Sequence, residues 1–201
     1  MATTEFAVNW DYRCPFARNA HEHVVTALQA GAPWRVEFTP FSLSQVHVPE
    51  GGTDVWDDPS KARDLLAMQA GIVVRDQFPD RFFDTHLALF RARHDESLDL
   101  RDEAVVREVL SRGGVDADAV MTAIAEGWPM EQFRKGHEWS VSEYEAWGVP
   151  TFMVGDRAAF VRIMTRPAGD GELAQTTVAR VVDAVGGWPE INELKHTTLS
   201  R

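Results

Sequence analysis

Residues 5–41 read EFAVNWDYRCPFARNAHEHVVTALQAGAPWRVEFTPF, and this stretch decides the fold. Glu5 to Trp10 is apolar enough for a buried strand, and Pro15 suits the first position of a helix, where its missing N–H costs nothing. From Phe16 to Ala30 the residues Ala20, Val24, Ala27 and Leu28 recur at helical spacing, and Gly31 with Pro33 ends the run. Trp34 to Phe41 alternates as a strand does. Strand, helix, strand in one sheet predicts a parallel pair joined by a right-handed crossover.

Beyond this unit the composition changes. Val48 to Pro59 is a loop rich in Pro, Gly and Asp, and the residues that follow carry repeated helix signals with almost no strand signal. The spacing predicts helices over Ser60–Val74, Pro79–Ala92, Asp102–Ser111, Asp116–Ala125 and Pro129–Trp147, the later ones stopped by glycine. Then Pro150–Val154 and Ala158–Met164 read as two strands about the Gly155-Asp156 turn. Leu173–Val185 reads as a last helix. Trp188 to Arg201 is expected as a short helix or arm packed by Trp188 and Leu194. The fold class is α/β, in the order βαβ, all-helical insertion, ββα. The expected parts are residues 1–50, 51–147 and 148–201.

Composition excludes several functions. The chain has 201 residues with 20 Lys plus Arg against 31 Asp plus Glu, a net charge of −11, and no basic block to compensate locally. Such a charge repels phosphate backbones and anionic lipid, so neither a nucleic acid nor a membrane is expected as partner. Met1 to Trp10 does not read as a secretory signal, no apolar run approaches the roughly 20 residues of a spanning helix, and a cytoplasmic protein is expected. Cys14 is the one cysteine, which excludes an intrachain disulfide and a cysteine-based zinc site.

Cys14 is the strongest candidate for chemistry. It stands where a strand ends and a helix begins, so the helix N-terminus favours the thiolate and lowers its pKa, and Arg13 adds to this. A lone cysteine is more often a small buried hydrophobe, but this placement favours a reactive thiol. Tyr12 is positioned to hydrogen-bond a ligand, and Asp11 either shapes the site or caps the helix. His21 lies about 10 Å along the helix from Cys14, too far to touch the sulfur. The other histidines show no ligand spacing, so satisfied or surface roles and no metal site are expected. The acidic loop of Asp54, Asp57 and Asp58 lacks the spacing of a calcium loop. Aromatic residues such as Trp56, Phe82 and Trp147 are mostly expected in the core.

The Cys14-Pro15-Phe16-Ala17 stretch opening the first helix, the helical insertion and Gly148-Val149-Pro150-Thr151 before a closing ββα unit resemble the DsbA-like branch of the thioredoxin superfamily. That branch includes kappa-class glutathione transferases and 2-hydroxychromene-2-carboxylate isomerases. The resemblance spans nearly the whole chain and implies a thioredoxin-like fold. It makes Cys14 the attacking thiol and Pro150 a cis-proline. Val149 would then offer its backbone to an extended thiol substrate. Pro15 and Phe16 line the same substrate site. The kappa-class likeness further implies a homodimer.

Two departures sharpen the expectation. Ala17 stands where a dithiol oxidoreductase carries its resolving cysteine, so release of a mixed disulfide needs an external thiol. The transferases and isomerases hold the glutamyl end of glutathione with a Gly-Ser-Asp stretch after the hairpin, where this chain has Val161-Arg162-Ile163. A basic Arg162 fits a different small thiol or a negatively charged ligand, and is otherwise a solvated strand residue. The leading reading is a DsbA-like monothiol thiol–disulfide oxidoreductase. It acts on a small-molecule thiol or disulfide, with a low-molecular-weight thiol as co-substrate and no tightly bound cofactor. The alternatives are a kappa-class-like thiol transferase or isomerase, in which position 14 only stabilises a bound thiolate, and a non-catalytic binding module.

Overall fold

The computed structural model describes residues 4–198. They fold into two compact units. Among the described residues, one comprises 4–10, 16–39 and 140–198, and the other 11–15 and 40–139.

The first unit holds a four-stranded sheet in the order β2-β1-β3-β4. Its strands are β1 (Thr4–Trp10), β2 (Trp34–Pro40), β3 (Thr151–Val154) and β4 (Arg157–Phe160). Helix α1 (Pro15–Gln29) connects β1 to its neighbour β2, as the strand–helix–strand reading requires. β3 lies antiparallel to β1, with Ala7 opposite Met153, and β4 lies antiparallel to β3, with Thr151 opposite Phe160. Helix α8 (Gly171–Gly187) packs on β3 and β4 through a buried stripe of Ala174, Val178, Val182 and Val185. Spacings of four, four and three place those residues on one helical face, and Asp170 caps the helix by accepting from Leu173 N–H. Phe6, Val8, Trp10, Phe38 and Phe152 fill the sheet's side of the core.

The second unit is helical. It carries the short α2 (Leu43–Val46), a 3-10 turn (Pro59–Leu65), α3 (Leu66–Gln77), α4 (Pro79–His94), α5 (Glu103–Arg112), α6 (Ala117–Ala125) and most of α7 (Trp128–Tyr144). α3 is buried all round from Ala67 to Val74, apolar except for Gln69, which suits the centre of a bundle, and it packs against α4, α5 and α6. Asp102 and Asp116 cap α5 and α6 through hydrogen bonds from Ala104 N–H and Asp118 N–H.

Several boundaries differ from the sequence reading. The helix expected from Ser60 begins as a 3-10 turn, because Asp58 accepts from Ser60 N–H and the residues after it offer no apolar stripe. α-Helical register starts only where Leu65, Met68 and Ile72 can be buried together. α7 stops at Tyr144 rather than Trp147. Glu145 turns to φ +52°, and Ala146 N–H closes back on Ser140 O. The strand expected to reach Met164 ends at Phe160. Beyond it, side chains of α1 take the strand-edge groups: Asn19 donates to Ile163 O at 2.9 Å, His23 to Thr165 O at 3.1 Å, and Glu22 pairs with Arg166. The expected packed arm is also corrected. Residues 188–198 form no helix, and Trp188 and Leu194 are exposed, because their apolar side chains recur without a partner face. Leu199 to Arg201, at the end of that arm, lie outside the described residues.

Candidate active site

Cys14 sits on the short turn between β1 and α1 and is 8% exposed. Its N–H donates to Asp11 O at 3.0 Å, which closes the turn and leaves the sulfur at the head of α1. Asp11, 1% exposed, organises the corner with its side chain. Oδ1 accepts from Arg13 N–H at 2.9 Å and Arg13 Nε at 3.1 Å, and Oδ2 accepts from Arg13 Nη2 at 2.6 Å and Leu43 N–H at 2.9 Å. A buried carboxylate is tolerable here because four donors replace its water. Arg13 also donates through Nη1 to Ser44 Oγ at 2.6 Å. Burial opposes the arginine's charge, but the hydrogen bond and charge of Asp11 outweigh it, so the Arg13 pKa is raised and the guanidinium stays cationic. Asp11 is therefore the holder of Arg13 and of the α2 entry, and α1 itself has no acidic residue in its first turn.

Tyr12 is 1% exposed and turned into the helical unit. Its hydroxyl is hydrogen-bonded to His86 Nδ1 at 2.8 Å, its ring lies 4.8 Å from that of Phe90, and its carbonyl accepts from His94 Nε2 at 2.9 Å. Gly71 makes room for it: a Cβ there would collide with the Tyr12 phenol. The side chain read as a ligand contact is thus committed to holding the turn.

Next to Arg13 the helical unit has an open cavity of about 730 Å³, lined among others by Arg13, Ser44, His47, Val48, Val55 and Lys61. Its lining mixes the charged Arg13, Asp58 and Lys61 with the apolar Leu43, Val48 and Val55. His137, in the same unit, accepts from Ser42 N–H through Nδ1 at 3.2 Å and lies against Phe41 and Trp56. Burial pushes its pKa down to about 4 against the opposing charges of Glu138, Asp54 and Asp11. No cluster of metal-ligating side chains occurs among the described residues.

In the sheet unit, the Val149–Pro150 peptide is cis. Asn9, fully buried at the end of β1, fixes the segment around it. Its Oδ1 accepts from Thr151 N–H at 2.6 Å and its Nδ2 donates to Gly148 O at 3.2 Å, while Thr151 Oγ1 donates to the same carbonyl at 2.8 Å. Val161 N–H donates to Pro150 O at 3.0 Å. Val149 is 2% exposed. His21, fully buried on α1, donates to Asn9 O at 3.0 Å, and burial lowers its pKa to about 4 against that hydrogen bond. Asn9 was not among the sequence candidates, since nothing local marks a strand asparagine as partner of residues 148 and 151.

Phe16 and Arg162 do come together. The Arg162 guanidinium lies 5.4 Å from the Phe16 ring centroid and 5.7 Å from that of Phe160, and the Trp147 ring lies 4.5 Å from that of Phe160, tilted by 40°. Ala17 is fully buried behind Phe16. Pro15 is exposed at the head of α1.

The model of the family described as the DSBA-like thioredoxin domain matches residues 84–168, a span from α4 past the cis-proline segment that stops short of Cys14. No curated protein sequence matches. Solved structures superpose over about nine-tenths of the chain. A 2-hydroxychromene-2-carboxylate isomerase superposes with TM-score 0.63 at 15% identity, over 89% of this chain and 96% of that one. Reduced DsbA1 from Neisseria meningitidis gives 0.60 at 15% identity, over 91% and 84%. A variant of Pseudomonas aeruginosa DsbA gives 0.54 at 20% identity, over 89% and 87%. At such identities the likeness is one of fold. Residues 84–168 thus resemble a DSBA-like thioredoxin domain, and the described chain has the thioredoxin-like fold of these structures, with a single cysteine at the head of its first helix.

Proposed function

We propose that the protein is a single-thiol thiol–disulfide oxidoreductase in which Cys14 exchanges with a low-molecular-weight disulfide. The observation that supports this best is the Cys14 turn itself: a thiol at the head of a 15-residue helix, on a turn closed by the Cys14 N–H to Asp11 O hydrogen bond. The helix N-terminus favours the thiolate, which is the nucleophile. Cys14 Sγ⁻ attacks one sulfur of R–S–S–R, forming Cys14–S–S–R and expelling RS⁻ with the bonding electron pair. Because the neighbouring slot is Ala17, a second small thiolate R′S⁻ attacks the R sulfur of the mixed disulfide, forming R–S–S–R′ and expelling Cys14 Sγ⁻ with the bonding pair. Sulfur oxidation levels balance over the cycle, so no bound redox cofactor is required. A cytoplasmic setting, where such thiols are abundant, fits this cycle.

A second reading, transfer or isomerisation through a bound cofactor thiol, is favoured by the missing second cysteine and by the fold likeness to the chromene-carboxylate isomerase. Cys14→Ser separates the two. Exchange through a covalent Cys14 intermediate predicts loss of turnover by at least about a thousandfold, since a serine hydroxyl is not ionised near neutral pH. Substantial residual activity with an added thiol would overturn the exchange reading and favour the second, because a hydroxyl can still donate to a bound thiolate. An intact Cys14 that forms no mixed disulfide, by mass spectrometry of the folded protein, would support a binding module.

A further inference from the structure

His86, Phe90 and His94 are spaced four apart on α4, so they stand one above another on a single face of that helix. All three bear on one residue of the turn that carries Cys14. His86 Nδ1 is hydrogen-bonded to the Tyr12 hydroxyl at 2.8 Å, the Phe90 ring lies 4.8 Å from the Tyr12 ring, and His94 Nε2 donates to the Tyr12 carbonyl at 2.9 Å. The turn and α4 belong to the same compact unit. The third contact differs in kind from the other two, because it holds backbone. Asp11 O accepts from Cys14 N–H, which makes Asp11–Cys14 a four-residue turn whose middle peptide joins Tyr12 to Arg13. That peptide is gripped at both ends, its oxygen by His94 and its N–H by Asp11 Oδ1 at 2.9 Å. The two common forms of such a turn differ by turning this peptide over, and the turned-over form needs a positive φ at its third residue. Arg13 stands there with a negative φ. Turning the peptide over would break both hydrogen bonds at once.

We propose that His94 is a positioning residue for the exchange reaction, locking the middle peptide of the Asp11–Cys14 turn through the Tyr12 carbonyl so that the sulfur is presented in one orientation. This rests on the exchange reading above and adds a residue that acts on Cys14 through its turn. His86 and Phe90 anchor the Tyr12 side chain, while His94 sets the plane of its carbonyl. The opposite end of the lock is fixed as well, since the Asp11 carboxylate is itself held by the Arg13 guanidinium and by Leu43 N–H. A released peptide samples both turn forms. Cys14 then spends part of its time away from the head of α1, and the fraction of thiolate falls with it. The chemical step is unchanged: Cys14 Sγ⁻ bonds to one sulfur of the disulfide, and the other leaves as a thiolate.

The test follows the reaction of Cys14 with dithiodipyridine from about pH 5 to about pH 9 in wild-type protein, His94→Leu, His94→Gln and Asp116→Ala, together with amide hydrogen exchange at Arg13 N–H. His94→Leu is expected to slow the reaction at neutral pH about tenfold, to move the midpoint of its pH profile upward, and to speed exchange at Arg13 N–H. His94→Gln should stay within about threefold of the wild type, since its amide N–H can reach the same carbonyl. Asp116→Ala removes the cap of α6 in the same unit and so lowers stability without touching the turn; its profile should match the wild type. If His94→Leu does not fold, His94→Asn gives the same reading, because its shorter amide cannot span to the carbonyl. A wild type that reacts while the His94→Leu profile stays in place, or moves no further than that of Asp116→Ala, would overturn the lock alone. Wild-type Cys14 that reacts at no pH would overturn the exchange reaction, and the positioning role with it.

Discussion

Two buried neutral histidines, one in each unit, make acid sensitivity a quantitative consequence of the fold. His21 and His137 each have their pKa pushed from 6.5 to about 4 by burial, and unfolding returns each to water. Below pH 6.5 the unfolded chain binds protons that the native chain refuses. The stability these groups contribute is therefore complete above about pH 6.5 and is lost progressively as pH falls toward about 4. A fall from 6.5 to about 4 corresponds to about 3 kcal/mol for each histidine at the low end of the window. His23, whose pKa burial also lowers, acts in the same sense in the sheet unit. The assay is urea unfolding followed from about pH 7.5 to about pH 4.5, with His21→Gln and His137→Gln beside the wild type. Glutamine can donate to Asn9 O in the first case and accept from Ser42 N–H in the second, and it does not titrate. Each variant should lose most of one histidine's share of the pH dependence. Undiminished steepness in both variants would refute burial of the neutral imidazoles as the cause.

Other outcomes follow from single contacts. Asn9→Ala leaves Thr151 N–H buried without its acceptor and should cost about 2 to 3 kcal/mol in chemical denaturation. Exchange activity should fall with it, if the 148–151 segment serves the reaction. Gly71→Ala drives a methyl into the Tyr12 phenol and should destabilise the protein by about 2 to 3 kcal/mol. Adding Tyr12→Phe should relieve part of that cost, measurable as a positive coupling in a double-mutant cycle.

The sheet unit was legible because its signals are local. β1, α1 and β2 follow from Pro15, the Ala20–Val24–Ala27 stripe and the Gly31–Pro33 stop, all within forty residues of one another. The caps at Asp102 and Asp116 likewise announce α5 and α6, because a capping carboxylate bonds only two or three residues ahead. What escaped is long-range. Asn9 reaches residues 148 and 151, and the pairing of Tyr12 with His86 spans 74 positions. Neither leaves a pattern in the intervening sequence. Tyr12 looked like a ligand contact since it adjoins Cys14, and only packing shows its hydroxyl turned inward. The end of β4 was overestimated for the same reason: Val161 to Met164 is apolar enough for a strand, but Asn19 of α1 claims the Ile163 carbonyl. The place of Arg162 after the second hairpin strand is readable from the sequence, while its position beside the Phe16 and Phe160 rings is set by packing across distant residues.

The Cys14 turn is completed late in synthesis. Leu43 must leave the ribosome before Asp11 gains its last donor, and His86 and His94 before Tyr12 is anchored. During that interval the nascent chain carries an unshielded sulfur, but it has no other thiol with which to cross-link wrongly. Within these 201 residues oxidative scrambling is chemically barred, and any disulfide of Cys14 must be made with a sulfur from outside them.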